Sequence, residues 1–217
     1  MKNVIKNSRA VFYFRLFSGS YLMKSCYGRL IGTDGKFMAT VSDADIVSAL
    51  KENLESGFRL LMARYREPVY WHIRRLVVSH DDAQDAAQET FIRAFRSLGR
   101  FKGECSLGAW IYRIATNEAL RAIERRRGGR VSLDDADAGA GRLAADGYVD
   151  YSDLEAVKLQ NAILSLPTKQ QLAFNLRYYD GLEYDEIAAV TGLTAASAKA
   201  NYHVAKEKII KYMNSTI

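Results

Sequence analysis

Residues 184–209, YDEIAAVTGLTAASAKANYHVAKEKI, predict two short helices joined by a tight turn. Gly192 stands where the first helix ends and a left-handed backbone is needed, and Thr194 is placed to cap the second helix. The residues expected to hold the two helices together are Ile187, Ala188, Leu193, Ala198 and Tyr202. The pattern indicates either a helix-turn-helix, which places its second helix in the major groove of DNA, or a structural helix pair of the same shape.

The outer face of the second helix carries the candidate DNA contacts of this region. They are Thr194, Ser197, Lys199, Ala200, His203 and Lys206. The small residues allow the helix to lie deep in a groove, while Lys199 and Lys206 are suited to phosphate groups.

The chain upstream of this motif is helical in pattern as well. Ser42 is predicted to cap a first helix whose inward positions are Ile46, Leu50 and Leu54. A second helix is predicted over residues 58–78 and a fourth over residues 107–127. The inward positions of the second helix are Leu61, Tyr65, Val69, Ile73 and Leu76 or Val77.

The third predicted helix contains DDAQDAAQETFIRAF, residues 81–95. Asp81 and Gln84 are expected to form its capping box, and Gly99 to end it. One face is an expected core stripe, formed by Ala83, Ala87, Phe91, Phe95 and Leu98. The opposite face mixes acid, amide and apolar side chains, namely Asp85, Gln88, Glu89, Ile92 and Arg96. Such a face is solvated surface, a metal site or a docking surface for a partner.

The metal alternative has a specific form, because DDAQD matches the D-D-x-x-D pattern with which all-helical isoprenoid diphosphate synthases hold magnesium. Those enzymes need a second acidic motif facing the first. The other acidic cluster here, Asp134, Asp135 and Asp137, lies in a stretch rich in Gly and Ala that no bundle would orient. We therefore disfavour the enzyme reading and predict neither a catalytic residue nor a bound metal or cofactor.

The fourth helix carries a polar and basic stripe. Arg113, Asn117, Arg121 and Arg125 recur every four residues, which gives a stripe about 18 Å long at about 1.5 Å per residue. The expected inward residues are Ile111, Ile114, Ala115 and Ala122. The preceding loop offers Lys102, Ser106 and Trp110 around two glycines, and basic tracking with aromatic stacking is typical of single-stranded DNA binding.

Charge is segregated along the 217 residues, whose formal net charge is +6. Residues 58–130 carry 15 basic against 8 acidic side chains, while residues 131–155 carry 1 against 7. We predict four parts: a leader over 1–41, a helical domain over 42–130, a flexible acidic linker over 131–152, and a second helical domain over 153–217. In the second domain a helix is expected at about 153–164, followed by a capping box of Thr168 and Gln171 after Pro167.

The leader has one apolar run of five residues, too short for a signal peptide or a membrane span. The hypothesis is that Met38 is the true start and that the preceding residues are upstream sequence or a disordered basic tail. The two cysteines, Cys26 and Cys105, have no metal-like spacing, which favours a reducing compartment and a cytoplasmic location.

Several ordered motifs together resemble a bacterial RNA polymerase sigma factor of the extracytoplasmic-function (ECF) group of the sigma-70 family. They are DAQDAAQETFIRAF, FKGECSLGAWIYRIATNEALR, LSLPTKQQLAFNLRYYDGLEYDEIA and the final helix-turn-helix. The resemblance covers about residues 58–130 and 159–213. It implies an all-α protein of two small helical domains, sigma region 2 and region 4, with the acidic linker in place of region 3.

The resemblance also implies roles for the candidate residues. Asp85, Gln88, Glu89 and Ile92 correspond to the face that docks on the clamp helices of the polymerase largest subunit. The stripe and the preceding loop correspond to the surface that meets the minus-ten promoter element as it opens: Lys102, Ser106, Trp110, Arg113, Asn117, Arg121 and Arg125. The final helix corresponds to the reader of the minus-thirty-five element. The implied partners are core RNA polymerase, promoter DNA as duplex and melted strand, and an anti-sigma factor.

The recognition helix departs from the family pattern Thr-Val-Lys/Arg-Ser-Arg-Leu-x-Arg-Ala. Asn201 and Val204 stand at two positions where arginine is expected, which removes phosphate charge. A stand-alone helix-turn-helix regulator remains the main alternative, and an interaction scaffold is the third. The basic stripe and the glycine loop argue against the regulator, which has no need of them.

Overall fold

The computed structural model describes residues 41–127 and 154–215. The predicted leader up to residue 40 and the predicted acidic linker lie outside these described residues. Within the two ranges the chain forms eight α-helices and no β-strand. The first unit comprises α1 (Asp43–Glu52), α2 (Leu54–Val77), α3 (His80–Leu98) and α4 (Leu107–Arg127). The second unit comprises α5 (Leu154–Leu164), α6 (Thr168–Tyr178), α7 (Tyr184–Thr191) and α8 (Ala195–Asn214).

The core of the first unit lies between α2, α3 and α4. All the inward residues predicted for α2 are buried, as are Ile111, Ala115 and Ala122 of α4. The bounds predicted for α4 are those observed. Ser42 caps α1 as predicted, and Asp45 completes a capping box with it. Gly57 lies against α1 so closely that a Cβ there would meet the Leu50 backbone nitrogen at 2.6 Å.

Two inward positions were predicted wrongly. Phe95 is 43 % exposed, because each four-residue step advances about 40° beyond a full turn and carries it off the core stripe. Ala86 and Ala94 take the buried positions instead. Leu54 is also exposed, since α1 ends at Glu52 and Leu54 opens α2 behind the Asn53 cap.

Two predicted capping boxes are also wrong. Ser79 caps α3 by accepting a hydrogen bond from the Asp82 amide at 3.3 Å, so Asp81 lies inside the first turn. Pro167 occupies the N-cap position of α6, because its backbone is already extended there. Thr168 is therefore the first helical residue and is buried, and its hydroxyl has no hydrogen-bond partner among the described residues.

The second unit has its own apolar core between α5, α6 and α8, built from Leu159, Ala162, Ile163, Leu166, Phe174, Ala205 and Ile209. Asn175 is fully buried beside it, and both polar atoms of its side chain lack a partner within the described chain. The helices α7 and α8 keep their predicted starts, and the turn between them contains Gly192 at a φ of 74°. Searching the described ranges for a helix long and apolar enough to cross a membrane gives none.

Candidate nucleic-acid interface and docking groove

The turn before α8 holds the helix-turn-helix in the predicted form. Thr194 Oγ1 accepts a hydrogen bond from the Ser197 amide at 3.1 Å, and the Gly192 amide bonds to the Ala188 carbonyl at 2.9 Å. Ile187 and Ala198 are fully buried where the two helices meet. Local capping and burial therefore fix the angle at which α8 leaves the turn.

The outer face of α8 is open. Lys199, Ala200 and His203 are exposed, whereas Ser197 and Lys206 are half-buried. Asn201 Nδ2 donates to the Ser197 carbonyl at 2.9 Å, so this amide supports the helix itself. Val204 is 40 % exposed, which places the position lacking the family arginine on the surface.

Tyr202 lies on the inner side of α8. Its ring stacks on Phe174 at 6.0 Å between centroids, and burial raises the pKa of its hydroxyl. Arg177 fixes the neighbouring turn by donating to Glu183 and to the Leu182 carbonyl, both at 2.8 Å. The inner side of α8 is thus held against α6 by the stacked rings of Tyr202 and Phe174.

The polar stripe of α4 faces outward along one unbroken helix. Its four predicted members, Arg113, Asn117, Arg121 and Arg125, are all exposed. Arg121 is paired with Glu118, whose side chain is only 5 % exposed. The positive charge of the stripe is therefore exposed at Arg113, whereas at Arg121 it is partly neutralised by Glu118.

The loop before α4 is held by its own contacts. Ser106 Oγ accepts from the Ala109 amide at 3.1 Å, which begins α4, and donates to Glu186 Oε1 on α7 at 2.6 Å. Trp110 is half-buried against Phe101, with 5.3 Å between ring centroids. Lys102 is exposed. The loop thus presents an exposed cation and an engaged hydroxyl, and the half-buried indole follows in the first turn of α4.

A groove of about 810 Å³ runs between α3 and α4 and joins two predicted sites. It is lined by Asp85, Gln88, Glu89, Ile92, Arg93, Glu118, Arg121, Glu124 and Arg125. All four residues of the predicted docking face thus share one groove with the last two arginines of the stripe. The sequence pattern had predicted these arginines on a separate surface.

A chain of ion pairs crosses the groove. Arg93 Nε lies 2.9 Å from Glu89 Oε1 on its own helix and 3.0 Å from Glu118 Oε1 on α4. Glu118 also accepts from Arg121. Because Glu118 is nearly buried, its charge needs these partners. Arg93 and Glu118 were not predicted, because their regular helical spacing gives no sign of a contact between helices.

An apolar patch borders the docking face. Ile92 is 37 % exposed and Phe95 is 43 % exposed, and the Phe95 ring meets Phe58 edge-on at 4.9 Å. Exposed large apolar side chains beside a polar groove are typical of interaction surfaces. The Phe95 ring, expected in the core, is exposed beside the predicted docking face instead.

A polar contact between the two units was not predicted either. Asp180 Oδ2 lies 2.7 Å from His72 Nδ1, and Arg75 pairs with the other carboxylate oxygen. His72 Nε2 lies 2.9 Å from Thr116 Oγ1. Hydroxyl, imidazole and carboxylate are thus connected as in a hydrolase triad. Thr116 is 2 % exposed and His72 fully buried, so no substrate reaches the hydroxyl here.

Among the described residues, no three His, Cys, Asp or Glu side chains are close enough together to hold a metal ion. In the D-D-x-x-D sequence, Asp82 is paired with Arg126 at 3.3 Å. Asp85 is exposed in the groove.

Comparison with known proteins agrees with this architecture. The model of Sigma-70 region 2 matches residues 61–128, and the model of Sigma-70 region 4 matches residues 156–209. The chain is 31 % identical to the RNA polymerase sigma-H factor of Pseudomonas aeruginosa, with 78 % of this chain and 92 % of that protein covered. It is 32 % identical to the ECF RNA polymerase sigma-E factor of Escherichia coli K12, with 78 % and 93 % covered.

Two solved structures share the fold. CnrH in complex with the cytosolic domain of CnrY matches with a TM-score of 0.59 at 20 % identity, covering 81 % of this chain and 98 % of CnrH. The sigma factor RpoE, in complex with the anti-sigma factor NepR from Bartonella quintana, matches with a TM-score of 0.59 at 22 % identity, covering 74 % and 98 %.

Proposed function

The chain belongs to the extracytoplasmic-function group of the sigma-70 family of RNA polymerase sigma factors, and we propose how its surfaces divide the work of starting transcription. As a sigma factor it recruits core polymerase to promoters and helps to melt the minus-ten region. In this proposal the first unit docks on polymerase and holds melted DNA, and the second unit reads duplex DNA.

The observation that carries the proposal is the position of two faces on adjacent helices of the first unit. The docking face of α3, with Asp85, Gln88, Glu89 and Ile92, meets the stripe of α4 in one groove. A transient interface combines limited apolar burial with polar groups that fix orientation, and this face has both. Polymerase bound to α3 would therefore lie directly beside DNA bound along α4.

The minus-ten surface consists of the stripe and its loop. Arg113 and Asn117 lie clear of the groove and are the best placed to contact the melted strand. Arg121 and Arg125 border the groove and can serve either DNA or the edge of the polymerase site. Trp110 offers a half-buried indole in the first turn of α4 and Lys102 an exposed cation in the preceding loop, a combination that suits a base leaving the duplex.

The minus-thirty-five surface is the outer face of α8. Lys199 and Lys206 would contact phosphates, while Ser197, Ala200 and His203 face the bases and Thr194 fixes the start of the helix. This work needs binding energy alone, and we propose that the protein catalyses no reaction. We also propose a cytoplasmic location and an anti-sigma partner, because RpoE, which shares the fold, was captured with such a partner.

Run-off transcription from a mixed promoter pool tests the function. Core RNA polymerase with the protein should give discrete start sites that core alone does not give. Asp85→Ala with Glu89→Ala should lower affinity for core by about 100-fold or more, since each lost charged contact is worth about 1.5–3 kcal/mol and the two together about 3–6 kcal/mol.

The matched control is Glu52→Ala with Glu55→Ala, which removes two exposed acids of the same unit outside the groove. Core binding should then be unchanged. A stand-alone regulator would bind duplex DNA and ignore core polymerase. Equal core binding by wild type and the groove variant would contradict our assignment of the docking face.

A further inference from the structure

The outer face of α8 carries a row of apolar side chains. Ala196, Ala200 and Val204 recur every four residues and are all exposed, Val204 by 40 %. We call these three residues the apolar row. At about 1.5 Å per residue the row is about 12 Å long, which corresponds to about three to four base pairs of duplex at about 3.4 Å each. The helix assigned to the duplex therefore bears methyl groups over the length of a short DNA element.

The polar side chains on one flank of the apolar row are bonded within the helix. Asn201 Nδ2 donates to the Ser197 carbonyl at 2.9 Å and lies 3.3 Å from Ser197 Oγ. An amide side chain reads adenine only when its donor and its acceptor are both available to the base. Because the donor of Asn201 is already engaged, this amide is poorly placed to read a base.

The other flank of the apolar row carries positive charge. Lys199 and Lys206 border it, and a lysine ammonium is suited to phosphate. His203 is exposed beside the row, with its ring centre 5.7 Å from that of Tyr202. Glu207 follows one turn later and is exposed, and its negative charge repels phosphate. Base contact on this face is thus left to the apolar row and one imidazole.

Apolar side chains recognise one particular group in the major groove, the C5-methyl group of thymine. The other base edges there display hydrogen-bond donors and acceptors, which lose water without replacement when a methyl group is packed against them. Ala196 and Ala200 are small enough for the helix backbone to come close to the bases, and Val204 adds a larger apolar surface. The apolar row therefore favours thymine over the polar edges of a G·C pair.

We propose that the apolar row reads thymine methyl groups in the minus-thirty-five element, so that the protein selects A·T pairs at the base pairs beneath the row. This inference rests on the proposed function of α8. Burial of one methyl group against an apolar side chain changes affinity by about three- to fivefold. Thymine on either strand satisfies the row, because both strands expose this methyl group in the major groove.

Replacement of thymine by deoxyuridine tests the inference, because deoxyuridine lacks only the C5-methyl group and keeps its base pairing. Holoenzyme assembled from the full chain and core RNA polymerase is first used to select promoters from a random duplex pool. The selected minus-thirty-five element should contain at least two A·T pairs next to each other. Deoxyuridine at each of these thymines should lower the affinity of holoenzyme about three- to fivefold. Deoxyuridine between the two promoter elements is the control and should change affinity less than twofold.

Cytosine provides the matched gain of affinity. A C·G pair in place of a selected T·A pair should weaken binding, and 5-methylcytosine at the same place should regain about three- to fivefold over cytosine. The gain is expected because the methyl group returns to the same point of the groove. Readout of polar base edges predicts the opposite pattern: 7-deazapurines, which lack the N7 acceptor, would lower affinity while deoxyuridine would not. That pattern would overturn the inference.

A protein variant tests the same contact from the other side. Val204→Thr with Ala200→Ser places hydroxyl groups at two exposed positions of the row with little change in size. The effect of deoxyuridine should fall below twofold in this variant, as expected when both partners of one contact have been altered. Asn201→Ala is the control and should keep the full effect, since its amide is bonded within the helix. Circular dichroism verifies folding, and the measurements with deoxyuridine and 5-methylcytosine on wild type decide the matter if the double variant does not fold.

The outcomes separate this inference from the proposed function. Equal affinity of a transcribing holoenzyme for thymine and deoxyuridine duplexes would overturn the inference alone. An undiminished deoxyuridine effect in the folded double variant would do the same. If holoenzyme selects no promoter and makes no discrete transcripts, the proposed function fails, and the reading of thymine fails with it.

Discussion

The two helices that we assign to DNA, α4 and α8, carry different side chains, and we assign them to different forms of DNA: α4 to the melted strand and α8 to the duplex. The outer face of α4 carries three arginines and an asparagine over about 18 Å, whereas that of α8 carries small residues and two lysines. Arginine binds phosphate and stacks on bases, which suits an irregular single strand, while small residues allow close approach to a duplex groove. If these assignments hold, we expect the first unit to supply most of the affinity for DNA and the second mainly to set the register on the duplex.

The largest effect should come from the open part of the α4 stripe. Arg113→Ala with Asn117→Ala is expected to lower transcription by about 100-fold or more, since each contact to a charged group is worth about 1.5–3 kcal/mol. Duplex binding by α8 should be preserved. Permanganate footprinting of the minus-ten region and a duplex gel shift measure the two separately. Equal loss of both activities would break the proposed division of labour.

Two glycines of the first unit, which carries α4, should differ in their response to a single added methyl group. Gly57→Ala should destabilise the protein by about 1–3 kcal/mol, because the new Cβ meets the Leu50 backbone at 2.6 Å. Gly99→Ala is the matched control, since a Cβ there meets no atom within 4 Å. Urea unfolding followed by circular dichroism compares them. If Gly57→Ala left the free energy of unfolding unchanged, α1 would have to shift away from the new methyl group without loss of stability.

The second unit should instead gain stability from the removal of a polar group. Asn175→Leu replaces a fully buried amide that has no partner among the described residues, and about 1–2 kcal/mol of stabilisation is expected. Asn161→Leu, at a half-buried position in the same unit, serves as control. The free energy of unfolding from urea denaturation gives the answer. Destabilisation would reveal a water or a backbone partner for Asn175.

Adding a positive charge to the outer face of α8 should make its charge more like that of the α4 stripe and raise its affinity for DNA. Val204 is exposed at a position where the family has arginine, so Val204→Arg should fold normally and strengthen duplex binding a few-fold. The slope of log affinity against log salt should steepen by about 1, as expected for one added phosphate contact. An unchanged slope would place Val204 away from the DNA backbone.

The smallest effect concerns the caps of α1 and α8. The hydrogen bonds from Ser42 hold the pKa of Asp45 below its usual value of 3.8, whereas the Thr194 cap involves no carboxylate. The stability that Asp45 contributes is present above 3.8 and is lost as the pH falls through its lowered pKa. Amide resonances of residues 42–46 should therefore shift below pH 3.8, and Ser42→Ala should return the pKa toward 3.8. Simultaneous shifts at residues 194–198 would contradict the distinction.

Local signals accounted for much of the fold. The helix-turn-helix and the bounds of α4 followed from glycine, caps and apolar spacing, which act within one turn of a helix. The predictions for Phe95 and Thr168 were wrong because each depended on a small difference. An error in helical phase placed Phe95 on the buried side, and an error of one residue in the cap position placed Thr168 before the helix instead of inside it. The contacts of Asp180 and Glu118 depend on packing between helices distant in sequence, and no local pattern specifies them.

The indole of Trp110 against Phe101 gives the protein a built-in optical label. The sequence has two tryptophans, Trp71 on α2 and Trp110 on α4, so the second unit has tyrosine as its main chromophore. Emission excited at the red edge of aromatic absorption therefore reports the first unit alone. Because Trp110 borders the loop assigned to melted DNA, the wavelength and intensity of its fluorescence should change as the promoter opens, without any added dye.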